Sequence, residues 1–195
     1  FVKAAALSRA LAQFTDIEEI IIHTGQHFDE NMSEVFFKEM EIPKPKYNLA
    51  INSVGHGAMT GRMLEEIETL ILKEAADLVL VYGDTNSTLA GALAAKKLHV
   101  KIGHVEAGLR SFNMSMPEEV NRILTDHITT YYFVTEQSGV DNLKTNDITE
   151  NVYLVGNTMI DSLVEFQSKF DKSEILSSLD IQPKEYILST LHRPS

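Results

Sequence analysis

Residues 78–105, LVLVYGDTNSTLAGALAAKKLHVKIGHV, decide the predicted fold of this chain. The stretch begins with an uninterrupted apolar run, LVLVY, which is typical of a strand covered on both faces in a parallel sheet. A helix rich in small residues follows the loop that starts at Gly83, and VKIGHV has the pattern of a second strand. Strand, helix and strand in this order predict a parallel crossover unit.

The same alternation continues on both sides of this unit. Apolar residues recur at helical spacing in the predicted helices, and short apolar runs mark the predicted strands. We predict further helices over 1–14, 31–40, 57–76, 117–128, about 136–145 and 158–169, and further strands over 17–25, 46–51, 131–135, 151–156 and 186–190. Alternation over this many units predicts the α/β class, with a doubly wound parallel sheet.

Composition and charge restrict the classes of function. The chain has 195 residues, with 17 Lys and Arg against 28 Asp and Glu, and a formal net charge of −11. This charge argues against a general nucleic-acid binder, because phosphate contacts need clustered basic side chains. No run of about 18 apolar residues occurs, so we predict no membrane span. The absence of cysteine excludes disulfides and thiolate metal sites, and it fits a cytoplasmic location.

Polar and ionisable residues follow the predicted strands. Ligands in open parallel sheets bind beyond the carboxyl ends of the strands, so these residues are the first candidates for a site. Asp84 follows strand 78–82, and Glu106 follows the strand that ends at Val105. Because the two strands are consecutive, we expect their carboxylates to share one pocket. Other strand ends are followed by Gln26, His27, Glu136, Asn157, His192 and Arg193.

Each candidate also has a structural alternative. Asp84 suits the N-cap of the helix that follows it, and Glu106 suits a solvated loop acid or a partner for Arg110. Lys3, by its position alone, is best interpreted as a surface lysine on the first helix. His192 could be an ordinary loop histidine. The residues by themselves leave these alternatives open.

Glu118 and Glu119 lie in the first turn of the helix that begins at Pro117. Acidic residues there complement the helix dipole, and Glu118 can also pair with Arg122 four residues later. We interpret Glu119 in this structural way, whereas the residues alone do not decide for Glu118. The histidines have no metal-ligand spacing, and neither GxGxxG nor GxxxxGK[ST] occurs, so we predict no metal and no cofactor.

Seven motifs follow one another along the chain: TGQH (24–27), GDTNSTLA (83–90), GHVEAGLR (103–110), PEEVNR (117–122), LTDH (124–127), VGNTMID (155–161) and LHRP (191–194). Together they resemble the non-hydrolysing UDP-N-acetylglucosamine 2-epimerases over nearly the whole chain. HVEAGLR followed by PEEVNR is the most specific part of the resemblance. The resemblance implies a Rossmann-like domain, one half of a two-domain fold similar to that of GT-B glycosyltransferases.

The resemblance also implies a reaction, the interconversion of UDP-N-acetylglucosamine and UDP-N-acetylmannosamine. Carbon 2 of this sugar has no adjacent carbonyl, so simple enolisation is not available. The family instead eliminates UDP across C1–C2 to give 2-acetamidoglucal and then adds UDP back, without a metal or redox cofactor. This route needs acid and base groups around the ring and positive groups near the diphosphate.

The family's functional residues transfer to matching positions of this chain. The resemblance implies catalytic roles for five residues, namely Asp84, Glu106, Glu118, Lys3 and His192. It does not settle which carboxylate removes the C2 proton. It implies substrate binding by Arg110, Arg193 and Asn157. It links a loop of bacterial members, matched here by Gln26 and His27, to a second, regulatory molecule of UDP-N-acetylglucosamine.

Alternative functions and a domain division complete the predictions. A related group of epimerases acts on UDP-2,3-diacetamido uronates, and GDTNSTLAGALAA resembles that group equally. A nucleotide-sugar-binding domain without turnover and an acceptor-dependent glycosyltransferase are further alternatives. We expect residues 1–170 to form the N-terminal domain, preceded by a first strand and a Gly-x-Arg-Pro loop, and residues 171–195 to lead into a nucleotide-binding domain. The family implies a UDP-sugar partner and a homodimer, with no nucleic-acid or membrane partner.

Overall fold

The computed structural model describes residues 1–25 and 34–190. Helices and strands alternate along these ranges, as the sequence pattern predicts. The elements are α1 (Val2–Leu11), β1 (Ile22–His23), α2 (Glu34–Glu39), β2 (Tyr47–Asn48), α3 (His56–Glu74), β3 (Leu78–Tyr82), α4 (Asn86–Lys97), β4 (Lys101–Val105), α5 (Pro117–Ile128), β5 (Tyr131–Val134), α6 (Gln137–Lys144), β6 (Val152–Leu154), α7 (Thr158–Glu165), α8 (Gln167–Asp171) and α9 (Ile175–Ser178).

The larger sheet is fully parallel and follows the chain in the order β3-β4-β5-β6. Tyr82 is in register with Val105, and Val105 with Phe133, so the carboxyl ends of β3, β4 and β5 meet at one edge. Helices α4, α5 and α6 connect the successive strands. The predicted α/β class with parallel strands is therefore confirmed.

Strands β1 and β2 form a separate parallel pair only two residues long. Ile22 is in register with Tyr47, and His23 with Asn48. The strands predicted over 17–25 and 46–51 were therefore too long. Backbone hydrogen bonds from the Leu49 N–H to His23 and from the Ile51 N–H to Thr24 continue beyond β2, but only two residues of each segment are in strand register.

Helix α4 packs closely because its buried side chains are small. Thr85 caps its first turn by accepting a hydrogen bond from the Thr88 backbone N–H, and Thr88 returns a contact to the Thr85 backbone. This reciprocal cap satisfies donors that would otherwise lack partners. The alanines of α4 are completely buried beside Met63 of α3 and Ile102 of β4. This core fixes β3 and β4 relative to each other.

One helix and one strand near the end of the described chain differ from the prediction. Residues divide into two compact units, 1–162 and 163–195. The helix predicted over 158–169 is interrupted at Phe166, which separates α7 from α8. The strand predicted over 186–190 is wrong, since this segment has no strand and Ile187 is 96% exposed. An apolar pattern alone does not make a strand, and no described residue pairs with this segment.

Candidate active site

The turn after β3 brings Asp84 to the edge of the sheet. Gly83 has a positive φ of 65°, and its N–H donates to the Val105 carbonyl at 3.0 Å. The cap of α4 is Thr85, so the interpretation of Asp84 as the N-cap is wrong. The carboxylate of Asp84 is free of that role and instead contacts the guanidinium of Arg122.

Glu106 begins the segment after β4 and meets Lys3 from α1. The Lys3 ammonium contacts the Glu106 carboxylate, and the two side chains are 27% and 18% exposed. A Cβ added at Gly83 would lie 3.3 Å from Lys3 Nζ and 3.4 Å from Glu106 Oε2. Lys3 is therefore not simply a surface lysine. Lys3 and Glu106 converge on the turn that carries Asp84.

Glu119 of α5 is structurally more important than its helix-dipole interpretation implied. Its side chain accepts hydrogen bonds from the backbone N–H groups of Ser111 and Phe112 at 2.9 and 3.0 Å, and Arg122 donates to it at 2.8 Å. Burial alone would raise the pKa of Glu119, but these hydrogen bonds outweigh it and lower the pKa to about 2. Glu119 thus anchors the loop between β4 and α5, while the neighbouring Glu118 is only half-buried.

Arg122 connects the acids of this region. Its guanidinium pairs with Glu119 three residues earlier and with Asp84 from the turn after β3. Burial acts to lower the pKa of Arg122, but hydrogen bonding to Glu119 and the charge of Asp84 raise it. Asn121 adds a hydrogen bond to the Asp84 carbonyl at 2.9 Å. The start of α5 therefore holds the turn that carries Asp84.

A second buried network lies below this turn. Asp126 of α5 is fully buried, lies 2.8 Å from His104 Nδ1 and accepts a hydrogen bond from the Gly108 N–H at 3.2 Å. Arg110 Nη1 lies 2.7 Å from the same carboxylate. The ionic partner of Arg110 here is therefore Asp126, while Glu106 pairs with Lys3. The substrate-binding role of Arg110 stays a prediction.

Four residues of this region were missed as functional candidates: His104, Asn121, Arg122 and Asp126. A signal for part of the set exists in the sequence. Glu119, Arg122 and Asp126 are spaced i, i+3 and i+7, which places them along one side of a helix. Charged residues on a side that packs against a buried strand indicate an internal ion-pair network. His104 offers no comparable signal, because its partners come from distant parts of the chain.

An open cavity of about 430 Å³ adjoins the turn on the side of α3 and α5. Asn121 lines it, and the same side chain donates to the Asp84 carbonyl. The predicted catalytic acids do not line the cavity, so it lies beside the Asp84–Glu106 cluster rather than at it. Its lining residues are His56, Gly57, Thr60, Gly61, Asn86, Pro117, Val120 and Asn121.

The remaining predicted residues are not tested by these contacts. Asn157 is exposed at the start of α7 and accepts a hydrogen bond from the Met159 N–H at 3.0 Å. The predictions for Gln26, His27, His192 and Arg193 lie outside the described residues. Within 1–25 and 34–190, no group of three or more His, Asp or Glu residues could hold a metal ion. No helix in the described parts of the chain is long and apolar enough to cross a membrane.

These features define an α/β domain with a polar site at the carboxyl ends of parallel strands, where such folds bind small ligands. The chain belongs to the UDP-N-acetylglucosamine 2-epimerase family, whose family model matches residues 9–195. The resemblance inferred from the motifs is thereby confirmed.

Individual relatives carry two different names. The chain is 53% identical over 195 residues to a UDP-N-acetylglucosamine 2-epimerase homolog of Methanococcus maripaludis. It is 54% identical over 196 residues to the UDP-2,3-diacetamido-2,3-dideoxy-D-glucuronate 2-epimerase of Pseudomonas aeruginosa. Each match covers 99% of this chain and 54% of the relative. The chain therefore spans about half the length of the relatives it matches.

Solved structures agree with this assignment. The UDP-GlcNAc 2-epimerase of Methanocaldococcus jannaschii, in complex with UDP-GlcNAc and UDP, matches with a TM-score of 0.87 at 49% identity. This match covers 91% of the present chain and 49% of that chain. The Neisseria meningitidis enzyme bound to UDP-GlcNAc matches with a TM-score of 0.84 at 30% identity. The predicted likeness to one half of the fold of these epimerases is confirmed.

Proposed function

We propose that the full-length protein inverts C2 of UDP-N-acetylglucosamine by eliminating UDP and adding it back. Family membership supports this reaction class, and relatives with UDP-GlcNAc bound support the ligand. The observation that carries the proposal is the convergence of Lys3 and Glu106 on the Gly83–Asp84 turn. Two acids and a cation at one sheet edge are the groups that a proton-transfer reaction on a sugar ring needs.

The proposed chemistry assigns proton transfer to the carboxylates. A carboxylate removes the C2 proton, the C2–H electrons form the C1=C2 double bond, and the C1–O electrons leave with UDP. In the return step a UDP oxygen attacks C1, and a carboxylic acid protonates C2 from the opposite face. Delivery to both faces requires more than one acid, so we assign Asp84, Glu106 and Glu118 jointly to these transfers.

The cations have a different role in the proposal. The Lys3 ammonium lies against Glu106 and supplies positive charge beside the acids. We assign stabilisation of the departing diphosphate to His192 and Arg193, because positive donors favour the charge that develops on a leaving phosphate. Arg110 and Asn157 remain proposed substrate-binding residues, and Gln26 and His27 a proposed regulatory contact. No cofactor takes part in this route.

A second substrate has a specific observation in its favour. The Pseudomonas aeruginosa relative named for UDP-2,3-diacetamido-2,3-dideoxy-D-glucuronate is as similar to this chain as the relative named for UDP-N-acetylglucosamine. The proposed elimination is the same for both sugars, since the substituents at C3 and C6 do not take part. A homodimer, a cytoplasmic location and a domain boundary near residue 170 also stay predictions.

The test is NMR of the full-length protein with each UDP-sugar in deuterated water. We expect deuterium at C2 of UDP-N-acetylglucosamine and accumulation of UDP-N-acetylmannosamine, without any acceptor. Reaction of the diacetamido uronate alone would transfer the assignment to the second substrate. Exchange with neither sugar would reject the epimerase and leave a binding domain, and turnover that depends on an acceptor would indicate a glycosyltransferase.

A further inference from the structure

His104 is a buried histidine that the proposed reaction does not use directly. It lies on β4, two residues before Glu106, and its side chain is 0% exposed. Its Nε2 lies 2.8 Å from the carbonyl oxygen of Gly83. A carbonyl oxygen only accepts hydrogen bonds, so Nε2 must carry a proton in this arrangement.

The other ring nitrogen faces a carboxylate. Nδ1 lies 2.8 Å from Asp126 Oδ1, while Asp126 Oδ2 receives the Gly108 N–H at 3.2 Å and contacts Arg110 at 2.7 Å. The Asp126 carboxylate therefore contacts His104, Gly108 and Arg110 at once. It ties the ring of His104 to α5.

The charges around this ring are those of a compact triad. Asp126 approaches from α5 and Arg110 from the segment after β4. The Asp126 carboxylate is shared between the His104 ring and the Arg110 guanidinium. Removing one member of such a buried group leaves an uncompensated charge, so its members depend on one another.

The contact to Gly83 has a consequence for the site. Gly83 has a positive φ and no side chain, so its own conformational preferences do not fix the direction of its peptide groups. Its N–H is held by the Val105 carbonyl and its carbonyl by His104. The next residue is Asp84, whose carbonyl accepts from Asn121. The turn is thus held on both sides of the peptide bond that leads to Asp84.

We propose that His104 is a positioning residue, held between Asp126 and the Gly83 carbonyl, which sets the placement of Asp84 relative to Glu106. Its catalytic consequence rests on the proposed function, but its hydrogen bond to Gly83 does not. A histidine that merely filled the core would have no effect on the alignment of the acids.

The first experiment measures the hydrogen bond to Gly83 without reference to activity. The full-length protein is labelled with 15N-histidine, and the exchange of the ring N–H protons with water is observed by NMR. We expect one histidine to hold an Nε2 proton that exchanges slowly, because its ring is completely buried and bonded to a carbonyl oxygen. His104→Gln should remove this signal, while the exposed His99→Gln should leave it. If His104→Gln does not fold, the signal is assigned as the one that survives single substitution of each other histidine.

The second experiment measures alignment. Misplacement of a catalytic group by about 1 Å can cost roughly 100-fold in rate, so we expect His104→Gln to lower kcat by about 10- to 100-fold with little change in KM. Turnover is normalised to folded protein, with His99→Gln as the matched control. An unchanged kcat per folded molecule would overturn the positioning role. Fast exchange of the His104 Nε2 proton would overturn the hydrogen bond to Gly83 even if the wild-type protein showed no epimerase activity.

Discussion

Two sheet edges in this molecule have the same sequence signature but different surroundings. We call the first the β3–β4 edge (Gly83, Asp84 and Glu106) and the second the β6 edge (Gly156 and Asn157). Both follow parallel strands and both contain a glycine with positive φ. At the β3–β4 edge the acids contact Lys3 and Arg122, which come from other elements. At the β6 edge Asn157 is exposed and bonds within its own helix.

The difference bears on the strand-end rule, by which ligands bind beyond the carboxyl ends of parallel strands. It shows what this rule can and cannot find. The rule marks positions where a ligand could bind, because the ends of parallel strands are open to solvent at one side. It does not tell which positions are supported by partners. Only the β3–β4 edge has charged side chains held in fixed places from two helices. We therefore expect substitutions there to have larger effects than substitutions at the β6 edge.

The largest effect is expected from Glu106→Gln. The change keeps the size of the side chain but removes its capacity to accept a proton, and acid–base groups typically contribute about 100- to 10,000-fold to rate. We expect kcat/KM of the full-length protein to fall by this range, measured by formation of the C2 epimer. The circular dichroism spectrum should stay that of the wild type.

Glu136→Gln is the matched control for this substitution. Glu136 lies two residues after the end of β5, at the same edge of the sheet as Glu106 after β4, but its side chain is exposed. We expect its turnover to equal that of the wild type. The comparison would fail if Glu106→Gln kept the wild-type kcat/KM, or if both variants lost the same amount. Either result would mean that the β3–β4 edge is no more important for turnover than the end of β5.

Two glycines test how closely the segments after β4 and β6 are packed. Gly108 and Gly156 have similar φ values of 79° and 82°, but an added Cβ would lie 2.3 Å from the Gly139 carbonyl oxygen at Gly108 and would meet no described atom within 4 Å at Gly156. Gly156→Ala should cost only the positive-φ strain of about 1–2 kcal/mol. Gly108→Ala should cost about 3 kcal/mol or more, because steric overlap adds to the strain.

The measurement is the unfolding of the wild type and both glycine variants by urea under identical conditions. Activity is not needed for this comparison, so it stands apart from the proposed function. Equal losses for the two variants would mean that the segment after β4 can move away from Gly139, and that the segments after β4 and β6 are packed alike.

Much of the fold was predictable because its signals are local. Apolar runs such as 78–82 and helical spacing such as that of 57–76 determine element types within a few residues. The strands over 17–25 and 186–190 were mispredicted in length or in kind, because strand formation depends on hydrogen-bond partners elsewhere in the chain. The hydrophobic pattern of a segment shows its tendency to form a strand, whereas the pairing of that strand depends on other segments of the chain.

The positions of the candidate residues at the sheet edge were predictable, but their ion pairs were not. Asp84 and Glu106 follow from the strand-end rule, and the family resemblance added Lys3. The ion pair of Lys3 and Glu106 joins residues 103 positions apart, so no spacing rule could find it. Arg122 pairs with Glu119 in its own helix and with Asp84 from another element, a choice that only the packing of α5 determines.

Glu119→Gln is expected to reduce stability rather than chemistry. The amide removes the charge that accepts hydrogen bonds from Ser111, Phe112 and Arg122, and hydrogen bonds to a charged group contribute about 1.5–3 kcal/mol. We expect the free energy of unfolding at pH 7 to fall by about 2 kcal/mol. Glu118→Gln, the matched control at the next position, should cost less than about 1 kcal/mol because its side chain is only half-buried and interactions near the surface are weaker.

The wild type and Glu119→Gln should also differ in how their stability depends on pH. The pKa of Glu119 is lowered from 4.5 to about 2 on folding, so its stabilisation is complete above about pH 4.5 and is lost as the pH falls toward 2. The difference in unfolding free energy between wild type and Glu119→Gln should therefore shrink between pH 5 and pH 2. A difference that stays constant over this range would contradict the lowered pKa.

The smallest effects are expected at Asn157. Asn157→Ala removes the acceptor for the Met159 N–H at the start of α7, which should cost about 1 kcal/mol of stability. Asn157→Ser keeps an oxygen acceptor and should recover most of this loss.

If Asn157 also contacts the substrate, both variants should raise KM by no more than about tenfold, the value of one hydrogen bond of about 1.4 kcal/mol. Steady-state kinetics with thermal unfolding separates the two roles. An unchanged KM in both variants would remove Asn157 from the binding residues and leave it as a helix cap, so that binding would be confined to residues outside the β6 edge.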